Sequence, residues 1–418
     1  MYTREETYLA TREPVSRART LLPDAYRTQE FYDLEQDLVF RKGWVCVGYT
    51  SQVQEPGLAF LTQVGGQPLF LIRDREKRLH CFYNVCRHRG SRLISEDGKY
   101  SAIRCPYHSW TYSTAGCLQG TPYFKGLDLP EKDKKYYDLP NANGNDLGGF
   151  CKSDYGLLEA KVDTWGCFIF VNLDLDAGPL SEWLGDLPQR FPRHPLADLK
   201  LIKRKDYEVK ANWKLIVENF IEYYHVPYIH PELNRVSKGN DHHRYQGPGM
   251  YMGFCTSPLT SDPSSPLESV PVMPGLDATE ARSAYWIHIF PNISLFILPN
   301  HVFTLMVRPD GVGKSFEHVD LLVHESVAHA ESEAECEAYS KNFEQIFQYW
   351  DLVNRQDFEA VQRVQQGLAA IPYPGGRMCH RYEEPIHRFQ NILIDRMVGK
   401  HRIPEGDGEL ARGYYGTL

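Results

Sequence analysis

Between positions 44 and about 150, short apolar runs alternate with turn residues in a pattern typical of a small all-β domain. β-branched and aromatic residues are frequent in these runs, which predict strands at 58–64, 68–74 and 79–85. Ahead of them, apolar residues recur at helical spacing and predict a helix over 28–42 in an N-terminal arm. Residues 126–156 are rich in Gly, Asn and Asp and predict an exposed loop or linker.

The second half of the chain mixes helix and strand patterns. Helices are predicted at 180–191, 213–225 and 331–370. Strands are predicted at 164–174, 203–212, 284–290, 293–299, 302–309 and 316–325. Residues 236–282 contain many Gly, Pro and Ser residues, and we interpret them as a long irregular loop that covers a substrate. The tail, residues 371–418, shows no readable pattern. The prediction is an α+β fold: a small all-β domain, then a larger domain with an antiparallel sheet flanked by helices.

Composition excludes several classes of function. The 418 residues carry a formal net charge of -8 without a block of Lys or Arg, which argues against a nucleic-acid partner. Mean hydropathy is negative and no long uncharged apolar run occurs, which argues against a membrane span. The ten Cys residues are irregularly spaced, unlike a disulfide framework, so we expect a reducing, cytoplasmic setting.

Four metal-ligating side chains stand in two short motifs of the predicted all-β domain. The motifs are Cys86-Arg87-His88-Arg89-Gly90 and Cys105-Pro106-Tyr107-His108-Ser109-Trp110. Sixteen residues separate His88 of the first motif from Cys105 of the second. Two thiolates and two imidazoles are the ligands of a Rieske [2Fe–2S] cluster, in which both Cys bind one iron and both His bind the other. Tight turns at each motif would present one Cys and one His together, and Gly90 and Pro106 suit such turns.

A zinc site is the main alternative for these four residues, because tetrahedral zinc is also bound by two Cys and two His. Zinc modules usually pair Cys with Cys and His with His. Here each motif mixes the two residue types, which favours the Rieske cluster.

A second group of metal-ligating residues lies at the end of the predicted helix 213–225. Glu222 and His225 are three residues apart and would share one face of that helix. The prolines that follow His225 make continuation of the helix unfavourable, so the chain can bend and bring His230 beside His225. Two such histidines supply two ligands of a 2-His-1-carboxylate site for non-haem Fe(II). A core histidine satisfied by hydrogen bonds is the structural alternative.

The third ligand is expected from the predicted helix 331–370. One apolar stripe of this helix is formed by Val353, Asp357, Val361, Val364 and Leu368. Asp357 interrupts the stripe with a carboxylate that faces the core, and a buried carboxylate needs a cation or strong donors. The alternative explanation is a buried aspartate that caps another element or pairs with an arginine. Asp351 and Glu359 fall off the stripe and are weaker candidates.

Taken together, the chain resembles the α (oxygenase) subunit of Rieske non-haem iron oxygenases. The matching segments, in the order of that family, are CRHRG, CPYHSW, TWGCFIFVNLD, NWKLIVENFIEYYHVPYIH and the later helix with Asp357. The resemblance implies cluster ligands Cys86, His88, Cys105 and His108. It implies mononuclear Fe2+ ligands His225, His230 and Asp357, with O2 as co-substrate. The domains are then an N-terminal helical arm (1–43), a Rieske domain (44–156) and a catalytic domain (157–418).

The resemblance also implies a homotrimer in which the cluster of one subunit feeds electrons to the iron of its neighbour. In that arrangement a carboxylate three residues before the first iron histidine bridges the two centres, and here this position is Glu222. Many aromatic-ring dioxygenases have Asp there. A glutamate is more similar to the branch acting on choline, carnitine, glycine betaine and proline betaine. Glu218, one turn earlier, is the fallback bridge.

The function expected from these residues is hydroxylation or N-demethylation of a small quaternary ammonium compound by a Rieske-type oxygenase. One alternative is an aromatic-ring dioxygenase or monooxygenase with the same iron centres. An alternative of another class is a non-catalytic Rieske electron-transfer protein, which is hard to reconcile with Glu222, His225, His230 and Asp357 all being present. The chain has no GxGxxG fingerprint, so electrons are expected from a separate NAD(P)H-dependent flavin reductase, with or without a ferredoxin.

Overall fold

The computed structural model describes residues 1–122, 124, 149–238, 242–262, 265–328 and 333–404. The chain divides into two compact units. We call Gly48–Val162 the small unit, and Met1–Val47 together with the residues from Asp163 onward the large unit. Mixed helices and antiparallel sheets confirm the predicted α+β class, whereas the division at 43/44 and 156/157 stays a prediction.

The α-helices of the described residues are α1 Leu9–Arg12, α2 Asp24–Arg27, α3 Gln29–Glu35, α4 Leu180–Leu184, α5 Leu187–Arg190, α6 Trp213–Phe220, α7 Val226–Ile229, α8 Pro231–Val236, α9 Glu325–Ala328, α10 Glu333–Gly367 and α11 Glu384–Met397. The strands are β1 Val45–Tyr49, β2 Leu58–Val64, β3 Gln67–Arg73, β4 Leu79–Tyr83, β5 Gly98–Lys99, β6 Ile103–Arg104, β7 Thr111–Tyr112, β8 Leu118–Gly120, β9 Glu159–Trp165, β10 Phe168–Asn172, β11 Leu199–Val209, β12 His242–Arg244, β13 Tyr251–Thr256, β14 Ala284–Ile289, β15 Ile293–Ile297, β16 Val302–Pro309 and β17 Ser315–His324.

The small unit consists of antiparallel strands in two sheets. In one sheet β4, β3, β2 and β5 pair side by side, and the first residues of β9 pair with β4. In the other, β6, β7 and β8 form a short meander. Phe70, Phe82, Trp110 and Tyr112 are buried between these strands, so both Cys-His motifs are anchored to one apolar core.

The large unit is built on a seven-stranded antiparallel sheet in the order β11-β17-β16-β15-β14-β13-β12. The long helix α10 packs against this sheet through Trp350, whose ring contacts Phe296 of β15 and Phe303 of β16. Helix α6 begins at Trp213 and is capped by the preceding Asn212, whose side-chain oxygen accepts a hydrogen bond from the Lys214 N–H. Sheet and helices together confirm the predicted large α+β part.

Most predicted strands and the long helix are confirmed, but two predicted elements are broken at glycines. The strand predicted at 164–174 is confirmed over Phe168–Asn172 but is not continuous, because β9 ends at Trp165 and β10 starts at Phe168 after a turn at Gly166. The helix predicted at 180–191 is interrupted at Gly185, which has φ +59. A Cβ there would lie 1.8 Å from the Pro248 carbonyl oxygen, so only glycine permits this approach.

Three further predictions need correction. The stretch 236–282 contains β12 and the fully buried β13, so it is not wholly irregular. The tail carries the amphipathic helix α11. The helix predicted over 213–225 ends at Phe220. Most of the loop predicted at 126–156 lies outside the described residues, since the structure describes only 149–156 of it.

Candidate active site and metal centres

The two Cys-His motifs form loops with the same backbone hydrogen bonds. In the first loop the Cys86 N–H donates to Ser91 O and the Gly90 N–H donates to Cys86 O. In the second, the Cys105 N–H donates to Trp110 O and the Ser109 N–H donates to Cys105 O. Gly90 (φ 71) and Ser109 (φ 56) both adopt the left-handed conformation that closes each loop. Ser109, a non-glycine residue with positive φ, was not recognised from the sequence as a turn residue.

The four predicted cluster ligands lie together, with the sulfurs inside and the imidazoles outside. Cys86 and Cys105 are 2% and 1% exposed and their thiols contact each other. His88 is exposed, His108 is half-buried, and their ring centres are 4.7 Å apart. The Nδ1 atom of His108 is buried without a hydrogen-bond partner in the described residues, as expected for an atom reserved for a metal. These residues fit a Rieske cluster with one buried and one outward-facing iron.

Neighbouring groups favour the metal-binding forms of Cys105 and His88, whereas burial raises the pKa of the Cys86 thiol. Burial raises the pKa of the Cys105 thiol, but the N–H groups of Tyr107 and His108 stabilise the thiolate and leave the pKa below its ordinary value. Partial burial and the charge of His108 lower the pKa of His88, so that its imidazole is neutral near pH 7.

Sequence reasoning missed Tyr112 as part of this site. Its hydroxyl oxygen is 3.3 Å from Cys86 Sγ and accepts a hydrogen bond of 3.1 Å from the Arg87 N–H. With a thiolate at Cys86, the Tyr112 hydroxyl is the donor. Trp110 stacks on the His88 ring at 4.8 Å. The aromatic residues after the second motif were the available signal for both contacts.

His225, His230 and Asp357 come together in the large unit. One ligand atom from each lies within 4.8 Å of the others. Asp357 Oδ1 is 2.8 Å from His230 Nε2 and 3.5 Å from His225 Nε2. Ligands at right angles around a metal at 2.0–2.2 Å are about 3 Å apart, so these three atoms can bind one face of a metal ion. The donor set is that of a non-haem Fe(II) site.

The contact between Glu222 and His225 does not arise from a shared helical face, because the helix has already ended at Phe220. Instead, Glu222 Oε2 accepts a hydrogen bond of 3.2 Å from the His225 N–H and another from the Tyr224 N–H. Glu222 Oε1 contacts His225 Nδ1. The carboxylate therefore closes a turn and orients the imidazole at once, leaving Nε2 directed at Asp357.

The carboxylates also set the charge of His225. Burial lowers its pKa, but the hydrogen bond and charge of Glu222 and the charge of Asp357 raise it, and the net pKa lies above the ordinary value. This local field attracts a cation, which is what a metal site requires.

Helices α7 and α10 position His230. The short helix α7 turns the chain through Pro227, so that the rings of His225 and His230 are 5.2 Å apart. His230 is 1% exposed, and its Nδ1 lies 2.7 Å from Gln356 Oε1. Gln356, next to Asp357 on α10, fixes the imidazole from the side opposite the ligand position. Gln356 could not be recognised from the sequence, because it is one of several glutamines on this helix.

The other carboxylates considered from the sequence do not reach this site. Asp351 pairs with Lys205 at 3.0 Å, Glu359 pairs with Arg363 at the surface, and Glu218 accepts hydrogen bonds from Tyr26 and Gln390. The predicted apolar stripe is partly wrong, because Val364 is 49% exposed. Asp357 is half-buried, with 19% of its side chain exposed.

A narrow aromatic cavity opens onto His225, His230 and Asp357. Its volume is about 40 Å³. The aromatic residues in its wall are Phe220, Tyr223, Phe254, Trp286, Phe296, Phe303, Trp350 and Phe358. Tyr224 and Tyr228, although close to His225 in sequence, lie outside this wall and are 49% and 81% exposed.

Two family models match this chain. A model of the Rieske [2Fe-2S] domain matches residues 43–131, and a model of the ring hydroxylating alpha subunit (catalytic domain) matches residues 196–399. The glycine betaine monooxygenase oxygenase subunit of Pseudomonas aeruginosa (strain UCBPP-PA14) is 26% identical over 406 residues, covering 89% of this chain and 88% of the relative. The chloroplastic choline monooxygenase of Beta vulgaris is 29% identical over 382 residues, covering 89% and 76%.

A solved structure has the same fold. The structure of a quaternary ammonium Rieske monooxygenase, described in connection with carnitine oxidation by gut microbiota, superposes with a TM-score of 0.73 at 23% identity. The match covers 93% of this chain and 97% of that one. Fold and ligand groups together define a Rieske non-haem iron oxygenase. The chain is an oxygenase (α) subunit of this class, related to the quaternary ammonium monooxygenases, and its cofactors are a Rieske [2Fe–2S] cluster and a mononuclear iron.

Among the described residues, no helix has the length and apolar character needed to cross a membrane.

Proposed function

We propose that this oxygenase hydroxylates an N-methyl group of a small quaternary ammonium compound. The observation that carries the proposal is the cavity, whose wall is aromatic and which opens directly onto His225, His230 and Asp357. In the described part of its wall, every ionisable side chain other than tyrosine belongs to the metal group or is Glu222. The substrate must therefore be held mainly by aromatic rings.

The aromatic rings of the wall pack against one another. Trp286 stacks on Phe254 at 5.2 Å, and Phe296 meets Trp286 at 6.3 Å with an interplanar angle of 66°. We propose that a methylated ammonium in the cavity contacts more than one of these rings. Each contact of this kind contributes about 0.5–2 kcal/mol, and desolvation in a closed cavity strengthens it. The glycine betaine and choline relatives carry names that fit such a substrate.

His225, His230 and Asp357 are proposed to hold the iron on one face, and Glu222 and Gln356 keep the two imidazoles oriented. Fe(II) bound there supplies O2 activation. Overall, one N-methyl group, O2, two electrons and two protons give N-hydroxymethyl and water. A hydroxymethyl group on a quaternary nitrogen then leaves as formaldehyde and a proton, and the product is the tertiary amine. Hydroxylation at a carbon not bonded to nitrogen would retain all methyl groups.

The electron route is also proposed. Glu222 contacts His225 Nδ1 and has 10% of its side chain exposed, so one face of the carboxylate is open to a second donor. A cluster histidine of a neighbouring copy in a homotrimer would supply that donor. A separate NAD(P)H-dependent flavin reductase, with or without a ferredoxin, would reduce the cluster.

Product analysis tests this function. Chemically reduced, iron-replete protein is mixed with O2 and, separately, with glycine betaine, choline, carnitine and naphthalene, and product masses are recorded with a formaldehyde assay. The proposal predicts one added oxygen, or loss of a methyl group with stoichiometric formaldehyde, from an ammonium compound. Two oxygens and two hydrogens added to naphthalene, with no product from any ammonium compound, would contradict it and favour the aromatic-ring dioxygenase.

A further inference from the structure

A second and larger cavity adjoins the aromatic one. Its volume is about 340 Å³, compared with about 40 Å³ next to the metal ligands. The two cavities share four wall residues, Leu233, Ser237, Trp286 and Trp350. The smaller cavity has room for a compact head group only, so the rest of a longer substrate has to extend past the two tryptophans.

The wall of the second cavity changes character away from the tryptophans. Near them it is apolar, with residues such as Leu267 and Leu298, whereas Glu268 and Arg282 contribute charge. Among the described residues, Arg282 is the one lysine or arginine in the wall of either cavity. A substrate whose ammonium group lies among the aromatic rings would therefore have a single cation available for its other end.

The backbone of Arg282 is fixed by a hydrogen bond, and its side chain is exposed. The Arg282 carbonyl accepts a hydrogen bond of 2.7 Å from the Leu259 N–H. In the described part of the chain its guanidinium forms no ion pair. The opposing carboxylate of Glu268 is engaged elsewhere, because it accepts hydrogen bonds from Ser261 Oγ at 3.1 Å and from the Asp262 N–H at 3.0 Å. An unpaired guanidinium in a cavity wall is suited to bidentate binding of a carboxylate.

We infer that the second cavity is the subsite for the carboxylate-bearing chain of the substrate, with Arg282 as the residue that recognises the carboxylate. The inference rests on the proposed function and narrows its substrate class to trimethylammonium carboxylates. Choline-like alcohols of the same length would bind less tightly, because a hydroxyl gives Arg282 only one neutral acceptor.

Calorimetric titration of the iron-replete, oxidised protein tests the inference without turnover. The probes are trimethylammonium alkanoates of increasing chain length, each paired with the trimethylammonium alcohol of equal length. For the best-fitting length, the carboxylate is expected to bind about ten-fold tighter than the alcohol. Arg282→Gln should remove that preference and leave alcohol binding unchanged, and Arg282→Lys should restore part of it.

Two further variants control for charge. Glu268→Gln removes the opposing charge in the same wall and should strengthen carboxylate binding by roughly two-fold. Arg235→Gln, at an exposed arginine of α8 outside both cavity walls, should change neither affinity. Equal affinities for acid and alcohol in the wild type, or a preference that survives Arg282→Gln, would overturn the subsite and leave the proposed function intact. Absence of binding by every ammonium probe would overturn both.

Discussion

Gln356 Oε1 lies 2.7 Å from His230 Nδ1, on the side of the imidazole opposite the atom that faces Asp357. The two adjacent residues of α10 thus engage the two nitrogens of one histidine. A glutamine amide oxygen in this position requires a proton on Nδ1, which leaves Nε2 as the free lone pair for a metal. The hydrogen bond therefore selects the tautomer that can bind iron.

Removing this bond should weaken iron binding. Gln356→Leu deletes the acceptor, and outer-shell changes of this kind cost about 10–100-fold in metal affinity. Competition against a chelator measures the dissociation constant of the mononuclear Fe(II). Gln362→Leu is the matched control, because Gln362 donates to the Phe358 carbonyl on the same helix and contacts no ligand. Equal loss of affinity in both variants would contradict a specific role for Gln356.

Glu222→Gln tests the electron route. An amide keeps an acceptor for His225 but lacks the charge needed to hold two imidazoles, so product formation in a single turnover should slow by about 10–100-fold. The measurement starts from protein with a reduced cluster and a full complement of iron. Glu218→Gln is the control, since Glu218 lies one turn earlier and bonds Tyr26 and Gln390 instead. If Glu218→Gln slows the reaction as much as Glu222→Gln does, the bridge is misassigned.

Glu218 should make stability pH-dependent. Burial raises its pKa to about 7, despite hydrogen bonds from Tyr26 and Gln390 that lower it. Below the ordinary carboxyl pKa near 4.5, Glu218 is protonated in both the folded and the unfolded chain, so its titration does not change the free energy of unfolding. As pH rises from about 4.5 to 7, only the unfolded chain loses the proton, so the folded state becomes relatively less stable.

Glu218→Gln removes this dependence. The variant should match the wild type at pH 4.5 and exceed it at pH 8 by on the order of 3 kcal/mol in the free energy of unfolding. Urea titrations at the two pH values measure the difference. If the difference in the free energy of unfolding between variant and wild type is the same at both pH values, Glu218 has an ordinary pKa.

Lys214 and Glu35 form an ion pair of 2.6 Å with both side chains fully buried. Lys214→Met leaves the Glu35 carboxylate without its cation and should cost about 3–5 kcal/mol in the free energy of unfolding. The double variant Glu35→Leu, Lys214→Met leaves no buried charge and should recover most of that loss. Urea unfolding of the two single variants and the double variant measures the coupling free energy between Glu35 and Lys214. If the losses of stability in the single variants add up to the loss in the double variant, the residues are not coupled and the prediction is contradicted.

The proximity of Cys86 to His88, and of Cys105 to His108, was predictable because their spacing places each pair within one turn. Asp357 could be singled out because a carboxylate on an apolar stripe of a helix needs a cation or strong hydrogen-bond donors. The predicted apolar stripe included Val364, which is in fact exposed. Helix periodicity identifies one face of a long helix, but it does not show at which residue that face stops being buried.

Partners set by tertiary packing could not be predicted. Gln356 reaches His230 from another helix, and nothing in its neighbouring sequence marks it. Tyr112 follows the second motif closely, but its contact with Cys86 of the first motif is set by the packing of the two loops. Glu222 was singled out correctly as a neighbour of His225, but for the wrong local reason, because the helix stops two residues earlier. Strand β13 was missed since Gly253 within it resembles a turn residue, although it lies against the Trp286 carbonyl where no Cβ fits.

Iron and sulfide content, measured on the wild type and on Asp357→Ala, tests the central claim most directly. The account predicts three irons and two acid-labile sulfides per wild-type chain, because a [2Fe–2S] cluster and one mononuclear iron are present. Asp357→Ala should retain two irons, two sulfides and the red-brown colour of the cluster, and lose the third iron. A variant that keeps all three irons, or a wild type with only two, would contradict the assignment of His225, His230 and Asp357 as the catalytic iron site.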